Sequence, residues 1–248
     1  MSNNLTLFIL LASRFCGFFL LSPLFSGRAI PKNIRCGLSL ACTLLLAPPL
    51  LSQHTPILEE PLLLSLQVIK ELAIGYLLGF IFSLIFEAAA FAGQVVGTLM
   101  GLSATELLDP LSSQQHPLMA RLFSLFLFTL FVSLDLHHPL LRLLYESFQT
   151  LPVNSYPFSF ETIRGVIEAS GLLFHQALSF AIFPLTVLLS LIALFALISR
   201  FFPVFWIGFP LQVFIGLIAV STGIAFFAPL LENAFYKTLE IVMNSIVN

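Results

Sequence analysis

Two apolar stretches, Gly171–Ile198 and Val204–Leu231, follow one another, and Arg200 between them is the single charged residue from Gly171 to Leu231. Each is 28 residues long, against the ~20 needed to cross the hydrocarbon core of a bilayer. Within lipid, every backbone N–H and C=O must be satisfied by the protein itself, so a span is either a helix or part of a closed barrel. The ~10-residue alternating segments of a membrane barrel are absent, which leaves helices. Four further apolar stretches extend the pattern: Leu5–Phe25, Ile34–Leu51, Leu62–Phe86 and Leu118–Leu136. Glu87–Leu107 is predicted to be helical too, but is polar enough that it need not face lipid. Charged residues make up 9% of the 248, where a water-soluble domain carries about 25%. The fold class predicted is an all-α integral membrane protein of about six apolar helical segments.

Proline and polar clusters mark the breaks: "SPLFSGRAIPKNIR", "SQHTPILEEP", "LDPLSSQQHP", "QTLPVNSYPFS" and "RFFP". None is long enough to link two domains, so residues 1–248 are predicted to form one. The first stretch lacks a basic lead-in and contains Arg14, which fits a retained membrane segment better than a cleaved signal. Arg28, Lys32 and Arg35 share one short loop, which the positive-inside rule places in the cytoplasm. Pro184 and Pro210 fall within apolar segments, where each removes a backbone hydrogen bond. Lys70, Glu71 and Glu87 would each cost about 2.5–3.5 kcal/mol at a bilayer centre. Both features predict helices that pack on protein or line water more than they face lipid.

Several functional classes fall away. A net charge of -2 with ten scattered Lys and Arg gives no basic patch for nucleic acid. Cys16, Cys36 and Cys42 form no CxxC pair and read as small packing residues. His137 and His138 are adjacent, so on a regular helix they point to different sides and make no i, i+4 metal pair. His54, His116 and His175 have no acidic or thiol partner at ligand spacing. No GxSxG, HExxH or P-loop occurs. Neither a metal, a cofactor nor catalysis is expected. A small-solute secondary transporter is one reading such a chain admits, although its halves show no matching pair of broken helices.

The stretch "GQVVGTLMGLSATELLDPLSSQQHP" stands out. Gly93, Gly97 and Gly101 recur every fourth residue, a spacing that lets another helix backbone approach closely. Gly75 and Gly79 make a second such step. Behind them comes a polar run: Leu108, Asp109, Pro110, Leu111, Ser112, Ser113, Gln114, Gln115, His116 and Pro117. Asp109 before Pro110 is a turn signal. The run reads either as a solvated surface loop or as non-helical backbone at membrane depth, which is tolerated only inside protein or beside a water-filled cavity.

Six short patterns occur in order. They are Arg14, Pro23, Phe25, Ile30, Pro31 and Arg35; then Glu71, Gly75 and Gly79; Ala92 to Gly101; Asp109 to Pro117; Ser147 to Pro152; and Val204 to Pro210. In this order and spacing the chain resembles the FliR/SctT family of the type III protein export gate, over nearly its whole length. The resemblance implies a non-enzymatic subunit of the bacterial inner membrane, built of bent, proline-broken hairpins in a pseudo-helical hetero-oligomeric pore. It implies FliP/SctR-like, FliQ/SctS-like and FlhB/SctU-like partners, contact with membrane lipid, and a conduit for unfolded export substrates. It also implies that six hydropathy peaks need not be six crossings, and that Leu108–Pro117 is a plug closing the resting pore. Two positions depart from the family pattern: Pro203 stands where an asparagine is usual, and Gln212 near where a lysine often follows.

Overall fold

The computed structural model describes residues 2–21, 31–51, 61–102, 117–153, 160–200 and 205–247. Their regular structure is entirely α-helical: α1 (Ser2–Leu21), α2 (Lys32–Leu51), α3 (Pro61–Leu99), α4 (Leu118–Ser133), α5 (His137–Thr150), α6 (Phe160–Ile198) and α7 (Phe205–Val247). An all-α chain is what the apolar runs predict, but the boundaries differ. Leu62–Phe86 and the first part of the more polar segment after it form one continuous helix ending at Leu99; residues 103–107 of that segment lie outside the described residues. The long helices α6 and α7 reach well beyond their apolar stretches. Hydropathy marks where a helix is oily, whereas helices continue as long as the backbone ladder is satisfied. Arg164 and Glu168, for example, continue α6 as a surface i, i+4 pair at 3.1 Å. Pro184, Pro210 and Pro229 are carried inside helices.

Helix α5 has no counterpart among the apolar stretches because its signal is periodic instead of oily. Leu140, Leu143, Leu144, Ser147 and Phe148 are buried, a single stripe at helical spacing. Arg142 and Glu146 pair at 2.8 Å on its outer face. By length and composition α3, α6 and α7 can each cross a membrane, and α4 with α5 would make a fourth if the pair is one broken span. The apolar parts of α1 and α2, Leu5–Leu21 and Asn33–Pro48, are shorter.

The chain divides into two compact units, each assembled from separated stretches of sequence. One comprises residues 1–84, 135–170 and 237–248; the other comprises 85–134 and 171–236. In the first, α1 packs on α2 and runs parallel to α3 at very close range. A methyl group added at Gly17 or Gly75 would overlap the facing backbone carbonyl of Leu72 or Arg14, and one at Gly79 would lie 2.7 Å from the Phe18 carbonyl oxygen. Arg14 and Phe18 meet Gly75 and Gly79 at one constant offset, so the two helices keep register over more than a turn.

This close approach surrounds Arg14, which is completely buried. Its Nε donates to Glu71 Oε2 at 2.6 Å. Nη1 donates to the Ser147 carbonyl at 2.9 Å and to its Oγ at 3.4 Å, and Nη2 to the Leu151 carbonyl at 3.1 Å. The guanidinium carbon lies 4.1 Å from the centre of the Phe148 ring. One side chain therefore neutralises Glu71, holds the carbonyl end of α5, where the helix dipole favours a cation, and stacks on an aromatic face. Of the internal charges, Glu71 is buried against Arg14, whereas Lys70 and Glu87 are exposed.

In the second unit phenylalanine rings form the core. Phe123 and Phe180 both pack on Phe227, with centroids at 5.3 and 5.7 Å, and Phe131 lies between Phe86 and Phe235 at 5.7 and 5.8 Å. These edge-on and tilted contacts tie α3, α4, α6 and α7 together with the geometry aromatic rings prefer.

Arg14→Met is expected to destabilise the purified protein by about 3–5 kcal/mol, because it leaves the Glu71 carboxylate buried without its cation. Arg14→Met combined with Glu71→Leu should recover much of that loss, read as the thermal midpoint in detergent. A double variant no more stable than the single one would mean that the two charges do not act as a pair.

Candidate functional site

The polar run singled out by sequence lies almost wholly outside the described residues, which on this side end at Leu102 and resume at Pro117. Leu108, Asp109, Pro110, Leu111, Ser112, Ser113, Gln114, Gln115 and His116 fall in that interval; Pro117 alone is described, immediately before α4. What the structure defines is the pair of stems on which the run is mounted, and both are anchored.

The α3 stem ends with all of its last four carbonyls engaged. Met100 N–H donates to Val96 at 2.9 Å, Gly101 N–H to Thr98 at 3.0 Å, and Leu102 N–H to Gly97 at 3.1 Å. Gly101 has φ +79, so the last two bonds are the paired closure that a left-handed glycine gives a helix end. The remaining carbonyl, Leu99, accepts from Gln212 Nε2 on α7. Gly101 thus sits just past the helix rather than continuing the ladder along it. A side chain there would be strained by the positive φ, and its first carbon would lie 2.8 Å from the Phe209 ring. Met100 is fully buried, with its side chain against Gly216 of α7.

The α4 stem is held by the other two glycines. A methyl at Gly93 would lie 2.5 Å from the Met119 carbonyl oxygen and 2.8 Å from Ala120 Cα, and one at Gly97 would lie 3.0 Å from Met119 Cβ. The start of α4 therefore rests directly on the backbone of α3. Beside this contact Gln94, Gly97, Thr98, Leu102, Pro117, Leu118 and Met119 enclose a small cavity of about 50 Å³, a volume on the scale of a few waters. Gly75 and Gly79 belong to the other close approach, between α1 and α3.

The ordered sequence patterns sort themselves in space. Arg14, Glu71 and the Ser147–Pro152 stretch meet at one guanidinium in the first unit. The Ala92–Gly101 stretch, Pro117 and, from the Val204–Pro210 stretch, Phe209 border the stems in the second. Three features escape sequence reasoning. The pairing of Arg14 with Glu71 could have been suspected from two opposite charges in apolar segments, each one turn from a glycine. Gln212 gave no such signal, since an exposed glutamine and a capping one look alike in sequence; Pro203 lies outside the described residues. A third concerns His137 and His138. They begin a helix instead of standing mid-helix, and their ring centroids are 4.1 Å apart.

Across residues 5–238 the chain matches the family described as Bacterial export proteins, family 1. It is 29% identical to the flagellar biosynthetic protein FliR of Escherichia coli (strain K12), over 91% of this chain and 87% of that one. It is 28% identical to the protein of that name from Bacillus subtilis (strain 168), covering 96% and 93%. With the Aquifex aeolicus (strain VF5) protein of the same name it shares 28%, covering 94% and 92%.

Gly93→Ala is expected to lower the thermal midpoint, at a cost of about 1–3 kcal/mol for overpacking. Gly171→Ala, whose added methyl meets open space, should not. Equal midpoints for the two variants would remove Gly93 from the stem. Gln212→Leu should speed hydrogen–deuterium exchange at the Met100–Leu102 amides, because the helix end loses the partner of its last carbonyl. Unchanged exchange there would show that Gln212 does not hold that end.

Proposed function

Because the chain belongs to the bacterial export proteins of family 1, the FliR/SctT family that its ordered motifs resemble, we propose that it is a core membrane subunit of a type III protein export apparatus. The match across residues 5–238 is the observation that carries this reading. The role is passive: the subunit lines and gates a conduit through which unfolded substrates cross the bacterial inner membrane, and performs no chemical step. Residues 1–248 act as one export-gate domain.

Within that role we assign Leu108–Pro117 to the plug. A resting seal must stop ions, yet give way to an extended polypeptide. Ser112, Ser113, Gln114 and Gln115 exchange protein for water as hydrogen-bond partners at little net cost. Leu108 and Leu111 supply apolar surface for the closed state. The anchored stems support the assignment, since they confine movement to the segment between them. On the α3 side the chain is locked by Gly101 and Gln212; on the α4 side it lies against Gly93 and Gly97.

The surface fits a subunit of a larger assembly. Phe174, Leu178, Ile182 and Leu189 on α6, with Phe214, Leu217, Ile218 and Phe226 on α7, are large apolar side chains left exposed. In water such a patch would drive association. Here we assign it to lipid and to FliP/SctR-like, FliQ/SctS-like and FlhB/SctU-like subunits.

Deleting Ser112–His116 should leave the subunit assembled with its partners and raise ion conductance across the membrane in cells or proteoliposomes. If the deletion abolishes assembly, or assembles with conductance unchanged, the segment is structural and the plug assignment fails.

A further inference from the structure

We propose that Asp135, His137 and His138 form a surface site for a divalent transition-metal ion of the zinc type. The three can each turn one ligand atom inward so that all lie within 4.8 Å of one another, and His137 Nε2 is 4.0 Å from Asp135 Oδ1. Bonds of about 2.0–2.2 Å in tetrahedral geometry place ligand atoms about 3.4 Å apart. No pair has more than about 1.4 Å to close, a shift on the scale of side-chain rotation.

Local backbone geometry brings the three together. On a regular helix the side chains of neighbouring residues diverge, which is why sequence alone argues against a His137–His138 pair. Here the two histidines are the first residues of α5. They follow a turn in which Asp135 has φ 54, the only positive φ among the described non-glycine residues. Aspartate tolerates the left-handed region better than most residues. Pro139 follows directly and fixes its own φ. The nearest cation along the helix, Arg142, is turned to Glu146 at 2.8 Å, so its charge is compensated away from the site.

The donor set selects the ion. Two imidazoles with one carboxylate suit zinc, cobalt, nickel or copper, whereas calcium and magnesium want oxygen ligands throughout. Three protein ligands leave one tetrahedral position open to water or to a donor from a neighbouring chain. His137 and Asp135 are 40% and 75% exposed in their side chains, so an ion can enter without opening the fold. Its expected effect is mechanical, clamping the turn that precedes α5. This inference stands apart from the export reading and would survive its failure.

The test uses the full chain in detergent, carried on a non-histidine tag and stripped with a chelator, then titrated calorimetrically with Zn²⁺ alone. One ion per chain is expected. Asp135→Asn, His137→Ala and His138→Ala should each weaken binding by roughly tenfold or more, since even outer partners of metal ligands are worth ~10–100-fold. His175→Ala should bind as the unaltered protein does. In a second measurement on the unaltered protein, Zn²⁺ should shield His137 and His138 from diethylpyrocarbonate, mapped by peptide mass, and leave His175 reactive. The proposal is overturned if no stoichiometric binding occurs, if the three variants bind normally, if His175→Ala weakens binding equally, or if all histidines stay equally reactive.

Discussion

The first unit is organised around one buried guanidinium. A buried arginine is tolerable only if its charge is paired and its nitrogens are hydrogen-bonded, and each nitrogen of Arg14 finds an acceptor, on α3 or at the end of α5. Glu71 supplies the opposite charge, and Ser147 and Leu151 supply carbonyls from the end of α5. The pair is better regarded as a device for register than as a source of stability, because desolvation offsets much of the Coulombic gain. A slip of α1 along α3 by one turn, about 5.4 Å, would strand both charges. It would also move Gly17 and Gly75 away from the carbonyls they accommodate. The ion pair and the glycines thus specify the same alignment by independent means.

The second unit uses the same economy without charge. Gly93 and Gly97 let α4 rest on the α3 backbone, while Gly101 ends α3 in a left-handed turn. Three glycines at one spacing therefore do two different jobs. The first two depend on having no side chain where two backbones meet. The third depends on a conformation that side chains resist. Elsewhere in the unit Phe123 and Phe180 pack on Phe227, joining α4, α6 and α7.

How much of this was legible in the sequence follows from the kind of signal each feature leaves. Oily runs announce α6 and α7 because lipid-grade segments are long and nearly uncharged. The stripe of Leu140, Leu143, Leu144 and Phe148 is equally regular, but it is diluted by Arg142 and Glu146, so a reading keyed to hydropathy passes over α5. Glycine spacing pointed to close packing, yet could not tell Gly97 on the helix from Gly101 beyond its end, since four-residue spacing is blind to where a helix stops. Partnerships across long separations leave little local trace: two opposite charges near glycines hint at Arg14 and Glu71, and nothing marks Gln212. Arg14 and Glu71 are 57 residues apart, and Gln212 and Leu99 are 113 apart. The residues of the polar run at 108–117 left a surface loop and backbone at membrane depth both open, and only the family resemblance offered a plug.

The network at Arg14 can be completed only late in the protein's synthesis. The chain is made from its N-terminus, so Arg14 exists for 57 residues before its carboxylate and 137 before the last of its carbonyls. Until Glu71 is made, a helix over the α1 residues would carry a bare cation, which a bilayer centre would disfavour by about 2.5–3.5 kcal/mol. Emergence of α3 cancels the charge, and emergence of α5 completes the hydrogen bonding. A chain cut short before Glu71 would therefore leave Arg14 without the carboxylate that pairs with it in the folded protein.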